Sequence, residues 1–236
     1  MAYISFQPSD YFNPLLWTGT GSSNAITGLG FTPDMTWIKK RDGTTNNQVQ
    51  DTVRSALTQG FTVYPNETTM QQEHGASITS WDSDGFTLGT DGPVNGNTDT
   101  FVGWSWKAGT TSGIAGSPSI TPTSYSFNAT SGFSVIAYTG NGTAGATIPH
   151  GLGVAPDMVI VKKLSSTSDW WVYHSKMDAT APEDYHLVLN TAAARVNNNG
   201  EWYDTAPTST LVTLGANTTT NTATFIAYCF SFFCMS

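Results

Sequence analysis

Apolar residues alternate with small or polar ones along short stretches of this chain, and turn residues separate the stretches. Met35-Thr36-Trp37-Ile38-Lys39, Phe61-Thr62-Val63-Tyr64, Ala76 to Trp81, Gly85-Phe86-Thr87-Leu88 and Thr100 to Trp106 all read this way, and a period of two is the mark of a half-buried β-strand. Clusters of Gly, Asn, Asp and Pro lie between them, which predicts antiparallel strands joined by turns. In Thr100–Trp106, Phe101, Gly103 and Ser105 share one side while Val102, Trp104 and Trp106 share the other. Two apolar faces predict a central strand inside a sandwich. Upstream, residues 3–21 hold only the patches Tyr3-Ile4-Ser5-Phe6 and Leu15-Leu16-Trp17, divided by Pro8, Asn13 and Pro14. Those breakers leave room for edge strands only. The stretch from Val49 to Leu57 fits a short helix or a strand equally.

The pattern occurs twice. Trp17-Thr18-Gly19-Thr20-Gly21 and Gly28-Leu29-Gly30, followed by Pro33-Asp34-Met35 and Lys39-Lys40, are matched by Tyr138-Thr139-Gly140-Asn141-Gly142 and Gly151-Leu152-Gly153, followed by Pro156-Asp157-Met158 and Lys162-Lys163. The offset from Gly28/Gly151 to Lys40/Lys163 is constant, 151 − 28 = 123. A period of that size means duplicated domains and not a solenoid repeat of about 20–50 residues. Thr224 to Phe230 matches Thr100 to Trp106 at 224 − 100 = 124, so each copy opens and closes on corresponding strands. Pairing of first and last strands closes a sheet and hides its edges. The predicted fold is all-β: two tandem antiparallel β-sandwich domains of jelly-roll or Greek-key type, related by internal duplication. Their boundaries are 1–107 and 132–236, with 108–131 a Ser/Thr/Gly/Pro linker that carries room for a strand of its own.

Composition agrees with a β fold and narrows the partners. Charged residues are 11% against 12% aromatics, a balance poor in the residues that fill exposed helix faces. A net charge of −8 repels phosphate backbones and anionic membranes, since nucleic-acid affinity rests on Lys and Arg. Neither a nucleic-acid partner nor membrane insertion is expected. The chain opens without a basic, then apolar, signal sequence, and no apolar run reaches the ~18 residues that span a bilayer. Cys229 and Cys234 are the only cysteines and read as buried free thiols rather than a disulfide framework.

Searches for chemistry come back nearly empty. Glycoside hydrolysis needs two carboxyls about 5–10 Å apart, one in an apolar setting, and no acidic pair here stands out. His74, His150, His174 and His186 lack metal-ligand spacing, and no Gly-x-Ser-x-Gly elbow is present. Asp82, Asp84, Asp91 and Asp99 are weak calcium candidates, because turn carboxylates are ligands that calcium accepts. The twelfth position of an EF-hand loop would fall on Pro93, however, and ordinary turn residues are the plainer reading. No cofactor is expected. Trp170-Trp171 and Trp202-Tyr203 are glycan-stacking candidates, with at most one of each pair facing solvent if both lie on strands. Asp34, Asp157 and the two Lys-Lys pairs read as turn and strand-end structure, Asp bonding its own backbone and Lys discouraging edge pairing.

Tyr138-Thr139-Gly140-Asn141-Gly142, Gly151-Leu152-Gly153, Pro156-Asp157-Met158, Trp106-Lys107-Ala108-Gly109-Thr110-Thr111-Ser112-Gly113 and Ile226-Ala227-Tyr228-Cys229-Phe230 together resemble a family of repeat-containing virion proteins of tailed, especially marine, bacteriophages. The likeness covers nearly the whole chain, through turn and strand signatures and not catalytic residues. It implies a non-enzymatic component of the particle exterior, a capsid decoration or tail-fibre protein. The implied partners are capsid or tail subunits and other copies of the chain, with a trimer expected, and the implied place is the virion surface after synthesis in the host cytoplasm. Similar proteins run on past the Tyr-Cys-Phe strand into a further copy, whereas this chain stops at Phe232-Phe233-Cys234-Met235-Ser236. Phe232, Phe233 and Met235 are therefore the expected assembly contacts, covered by a partner subunit. A lectin-like adhesin reading host surface glycans is the alternative, and a glycan-degrading enzyme comes third.

Overall fold

The computed structural model describes residues 7–54 and 60–232. The patch Tyr3-Ile4-Ser5-Phe6, Leu57, and the tail residues Phe233, Cys234 and Met235 lie outside the described residues. The chain is all-β, with 39% strand and 5% helix, so helical segments amount to single turns. It divides into two compact units, one running up to Pro65 and resuming over Gln71–Ala108, the other made of Gly109–Ser236 together with Asn66–Met70.

Unit 1 carries β1 (Phe12–Thr18), β2 (Asn24–Thr27), β3 (Met35–Lys40), β4 (Gln48–Asp51), β5 (Phe61–Thr62), β6 (Gln72–Glu73), β7 (Ile78–Asp82), β8 (Gly85–Leu88) and β9 (Thr100–Trp106). Among the described residues these form antiparallel sheets in the orders β1-β9-β3-β4, β2-β8-β7 and β5-β6. The first two face each other. Leu15, Trp17, Ile38 and Phe101 from one meet Ile26, Ile78, Phe86 and Leu88 from the other in one core, the layered packing of a β-sandwich. β9 is central, as its two apolar faces predict, and β1 takes the edge, where Pro14 costs no ladder hydrogen bond to a further strand. The open stretch from Val49 onward starts as strand β4. β3 is not half-buried: Thr36 and Ile38 are buried along with Met35, and the Thr36 hydroxyl bonds Ser105 Oγ at 3.0 Å.

Unit 2 carries β10 (Ser124–Asn128), β11 (Phe133–Thr139), β12 (Ala146–Pro149), β13 (Met158–Lys163), β14 (Trp170–His174), β15 (Tyr185–Val188), β16 (Val196–Asn197), β17 (Leu211–Leu214) and β18 (Thr224–Phe230). Its larger sheet has the order β10-β11-β18-β13-β14-β15-β16, and β12 pairs with β17. The core gathers Ile136, Tyr138, Val159, Val161, Trp202, Val212, Leu214 and Phe225. The stretch 108–131, read from composition as a linker, is part of this fabric: β10 pairs with β11 and Ile120 is buried in the core. Ser119 Oγ accepts from Thr147 N on β12 and the Thr123 hydroxyl donates to Ala137 O on β11, so a polar composition did not mean a free tether.

The recurring glycines have a steric cause. A Cβ on Gly19 would sit 2.1 Å from Gly96 O, and one on Gly140 2.3 Å from Thr220 O, distances no side chain tolerates. Gly28, Gly30, Gly151 and Gly153 all have positive φ, which glycine adopts without penalty, and the Leu29 and Leu152 between them are buried. The two bends are held by different groups. In unit 1 the Asp84 carboxylate accepts from Gly28 N and Gly30 N at 3.1 and 2.6 Å. In unit 2 His150 Nδ1 accepts from Leu152 N at 3.2 Å while Nε2 lies 3.1 Å from Thr208 O.

Candidate functional site

The recurring Asp is a long-range staple, not a local turn. Asp34 Oδ1 accepts from Thr52 Oγ1 at 3.1 Å and Oδ2 from Ala108 N at 2.8 Å. Asp157 Oδ1 accepts from Ser175 Oγ at 2.7 Å and Oδ2 from Phe232 N at 2.8 Å. Each carboxylate thereby ties the start of β3 or β13 to the exits of the neighbouring strands. The sequence reading had Asp bonding its own backbone; the partners lie 18 and 74 or 75 residues away.

The recurring Lys marks the most developed polar site. Lys162 on β13 is fully buried, against the expectation of a solvated strand end. Its ammonium donates to Ser168 O at 2.5 Å and Thr68 O at 2.8 Å and lies 5.8 Å from the Trp170 ring centroid. Burial lowers its pKa from 10.5 to about 8, opposed by the nearby Asp169. Ser168 N donates to the same Thr68 carbonyl at 2.9 Å, and the Trp170 indole donates to Glu67 O at 3.1 Å. Unit 2 thus holds the pentapeptide Asn66–Met70 by its backbone carbonyls. Such capture is indifferent to side-chain identity, because every residue offers a carbonyl. Neither identical Lys-Lys pair announces it in the sequence; the signal that separates them is the tryptophan eight positions after Lys162, where Asn47 follows Lys39.

Two further clusters join titratable groups. Tyr64 Oη lies 2.5 Å from His74 Nε2, and His74 Nδ1 lies 3.3 Å from Asp91 Oδ2. The Asp91 contact raises the His74 pKa against the opposing effect of burial; burial and then the Asp91 charge raise that of Tyr64. In unit 2 His186 Nδ1 sits 2.8 Å from Glu201 Oε2 with both side chains almost wholly buried, and Glu201 Oε1 accepts from Asn217 Nδ2 at 2.6 Å. The aromatic edge of Trp171 covers His186, centroids 5.0 Å apart.

The expected sites are scattered or enclosed. Asp82 accepts from Ser80 and Thr87 hydroxyls, Asp84 from the Gly28 and Gly30 amides, Asp91 faces His74, and Asp99 pairs with Lys40 at 2.7 Å. The four carboxylates serve different partners, and among the described residues no three His, Cys, Asp or Glu side chains group around a possible metal. Trp170 and Trp202 are buried at 1% exposure, which removes them from any glycan platform. Trp171 is half-buried against the core, leaving Tyr203 as the exposed ring of the four at 47%. Trp202 and Tyr203 lie in a turn and not on a strand, Tyr203 with φ +53°, so strand alternation does not apply to them. Phe232 is 56% exposed; Phe233 and Met235 lie outside the described residues.

A family model described as a domain of unknown function, DUF7483, matches residues 7–233. No curated protein matches the chain, and no solved structure does.

Proposed function

This chain belongs to the DUF7483 family, and from that premise we propose that it is a non-enzymatic structural protein on the exterior of a bacteriophage particle, working through protein–protein packing. Two tandem copies of one β-sandwich underlie it. The registers support the duplication: Met35 faces Trp106 and Lys40 faces Phe101, while Met158 faces Phe230 and Lys163 faces Phe225. Phe12 to Thr18 runs against Trp106 to Thr100 as Phe133 to Thr139 runs against Phe230 to Thr224.

One observation carries the functional reading, namely where the polar chemistry goes. Asp34, Asp157, Lys39 and Lys162, which recur in the sequence, are directed onto backbone amides and loop carbonyls. Several large apolar side chains are also left at the surface: Phe12, Leu16, Val154 and Phe232 are 37–66% exposed. A surface of that kind suits burial against other subunits, across ~800 Å² per partner for a stable contact, while a net charge of −8 keeps particles apart. The resemblance to repeat-containing virion proteins supports the same assignment to capsid decoration or tail fibre, with capsid or tail subunits as partners.

Imaging of intact particles with a tag-directed label tests it. Regular labelling of head or tail is the expected result; particles that lack the protein would refute it. A glycan array run with wild type and Tyr203→Ala separates this reading from an adhesin, which would bind sugars in a Tyr203-dependent way.

A further inference from the structure

The registers of the two copies also agree in the hairpins that follow β4 and β14. Phe61 faces Glu73 and Thr62 faces Gln72; Tyr185 faces Asn197 and His186 faces Val196. Each residue of the second set lies 185 − 61 = 124 positions beyond its counterpart. The hairpin tip Asn66–Met70 therefore corresponds to Asn190–Ala194. The first tip is held in unit 2 by Lys162, Ser168 and Trp170. In the second, Thr191, Ala192, Ala193 and Ala194 are all exposed.

The receiving group has a counterpart as well. Lys39 stands 123 positions before Lys162 and Thr45 stands 123 before Ser168. Lys39 Nζ donates to Thr45 O at 2.6 Å, the same internal contact that Lys162 makes with Ser168 O at 2.5 Å. Its other contact here is a long one, 3.4 Å to Gly43 O. An ammonium carries three donors, and Lys162 uses one of its own on the incoming Thr68 carbonyl. Asn47 takes the place of Trp170. Arg41, Asp42 and Thr44 beside this group are exposed.

We propose that Thr191–Ala194 of one copy docks by its backbone carbonyls onto the Lys39–Thr45 group of a second copy, repeating between molecules the contact that Asn66–Met70 makes with Lys162 and Ser168. The inference rests on the duplication and packing role argued above. Three consecutive alanines suit the approach, because methyl side chains let the tip backbone come close to a donor group without a clash. Donor and acceptor patches differ, so the contact is heterologous: it runs head to tail and either closes into a ring or extends into a filament.

Cross-linking of the full chain tests this in a Cys234→Ser background, which leaves only the buried Cys229 thiol. Ala193→Cys and Thr44→Cys are placed on the exposed tip and on the loop beside Lys39. Mixing the two variants under mild oxidation should yield a disulfide-linked dimer, with none from either variant alone. Absence of the mixed dimer overturns the proposal, as does equal cross-linking of Ala193→Cys by itself, which would mean a symmetric contact. Sedimentation velocity adds a second readout: Ala193→Arg should lower self-association in the wild-type background, and unchanged association overturns the contact. A chain that still associates after these failures leaves the packing role intact, whereas absence of the protein from particles refutes that role whatever the cross-links show.

Discussion

Replacing Asp34 by Ala isolates the staple that recurs with the repeat. The carboxylate accepts hydrogen bonds from the Thr52 hydroxyl and the Ala108 amide, and Ala108 is only 3% exposed. A hydrogen bond to a charged group contributes about 1.5–3 kcal/mol, and a buried donor left without its acceptor costs about 1–3 kcal/mol. Since these overlap, Asp34→Ala should lose about 3 kcal/mol. Asp157→Ala removes the corresponding bonds from the Ser175 hydroxyl and the Phe232 amide, but Phe232 is 56% exposed. Water reaches that amide, and the loss should be about 1 kcal/mol. Asp34→Asn should fall between, because its amide oxygen can still accept from Ala108 N while its NH2 turns to the Thr52 hydroxyl. Urea unfolding followed by tryptophan fluorescence measures the ranking. Hydrogen exchange adds the local test, where the Ala108 amide should exchange about a hundredfold faster in Asp34→Ala, at 1.36 kcal/mol per factor of ten. Equal losses at Asp34 and Asp157, or unchanged exchange at Ala108, would refute the argument that burial of the recipient amide sets the cost.

Lys162→Ala should release the captured tip: cleavage after Glu67 by a glutamate-specific protease should rise about tenfold, the effect of one lost charge-assisted hydrogen bond. The His74 pKa is raised by Asp91, so the stability of that contact is complete below pH 6.5 and is lost as pH rises through the elevated folded value. An NMR titration should show it, and Asp91→Asn should return His74 toward its ordinary value. Burial takes His150 the other way, to about 4; its contribution is complete above pH 6.5 and is lost as pH falls through 4, so the imidazole should remain neutral in spectra recorded at pH 5. Trp170→Ala should cost about 3–5 kcal/mol as a core truncation, measured by denaturation, and a change in sugar binding with intact stability would contradict its burial.

Strand positions, the central place of β9 and the edge place of β1 were legible because each depends on local information: alternation, proline and glycine. The functional geometry was not, for reasons that can be named. Asp34 and Asp157 show a Pro-Asp turn to any reader, but their partners Ala108 and Phe232 come at the far end of each copy. Lys39 and Lys162 are identical in their Lys-Lys setting, and only the chain that arrives from Asn66–Met70 makes one of them a clamp. Trp202 and Tyr203 misled through the assumption of a strand, since a turn sets their directions by φ and not by alternation. The strand that 108–131 had room for is β10, and its place against β11 was not legible because Thr and Ser serve equally in tethers and in edge strands.

The two units pair their matching strands in the same registers while differing in how they close the Gly-Leu-Gly bend and what the matching lysines hold. A carboxylate from the β7–β8 turn fixes Gly28-Leu29-Gly30, and an imidazole next in sequence fixes Gly151-Leu152-Gly153. The unit 2 bend therefore has its own acid response: protonating His150 Nδ1 removes the acceptor for the Leu152 amide inside a buried site. Matching backbone registers leave side chains at corresponding positions free to take different roles. The clamp follows that rule. Lys162 lies against the Trp170 ring and bonds Thr68 O, while Lys39 bonds Thr45 O beside the exposed residues Arg41, Asp42 and Thr44. The divergence at one pair of positions, Asn47 and Trp170, is therefore what sets the two lysine groups apart, and exchanging those two residues is the substitution most directly aimed at that difference.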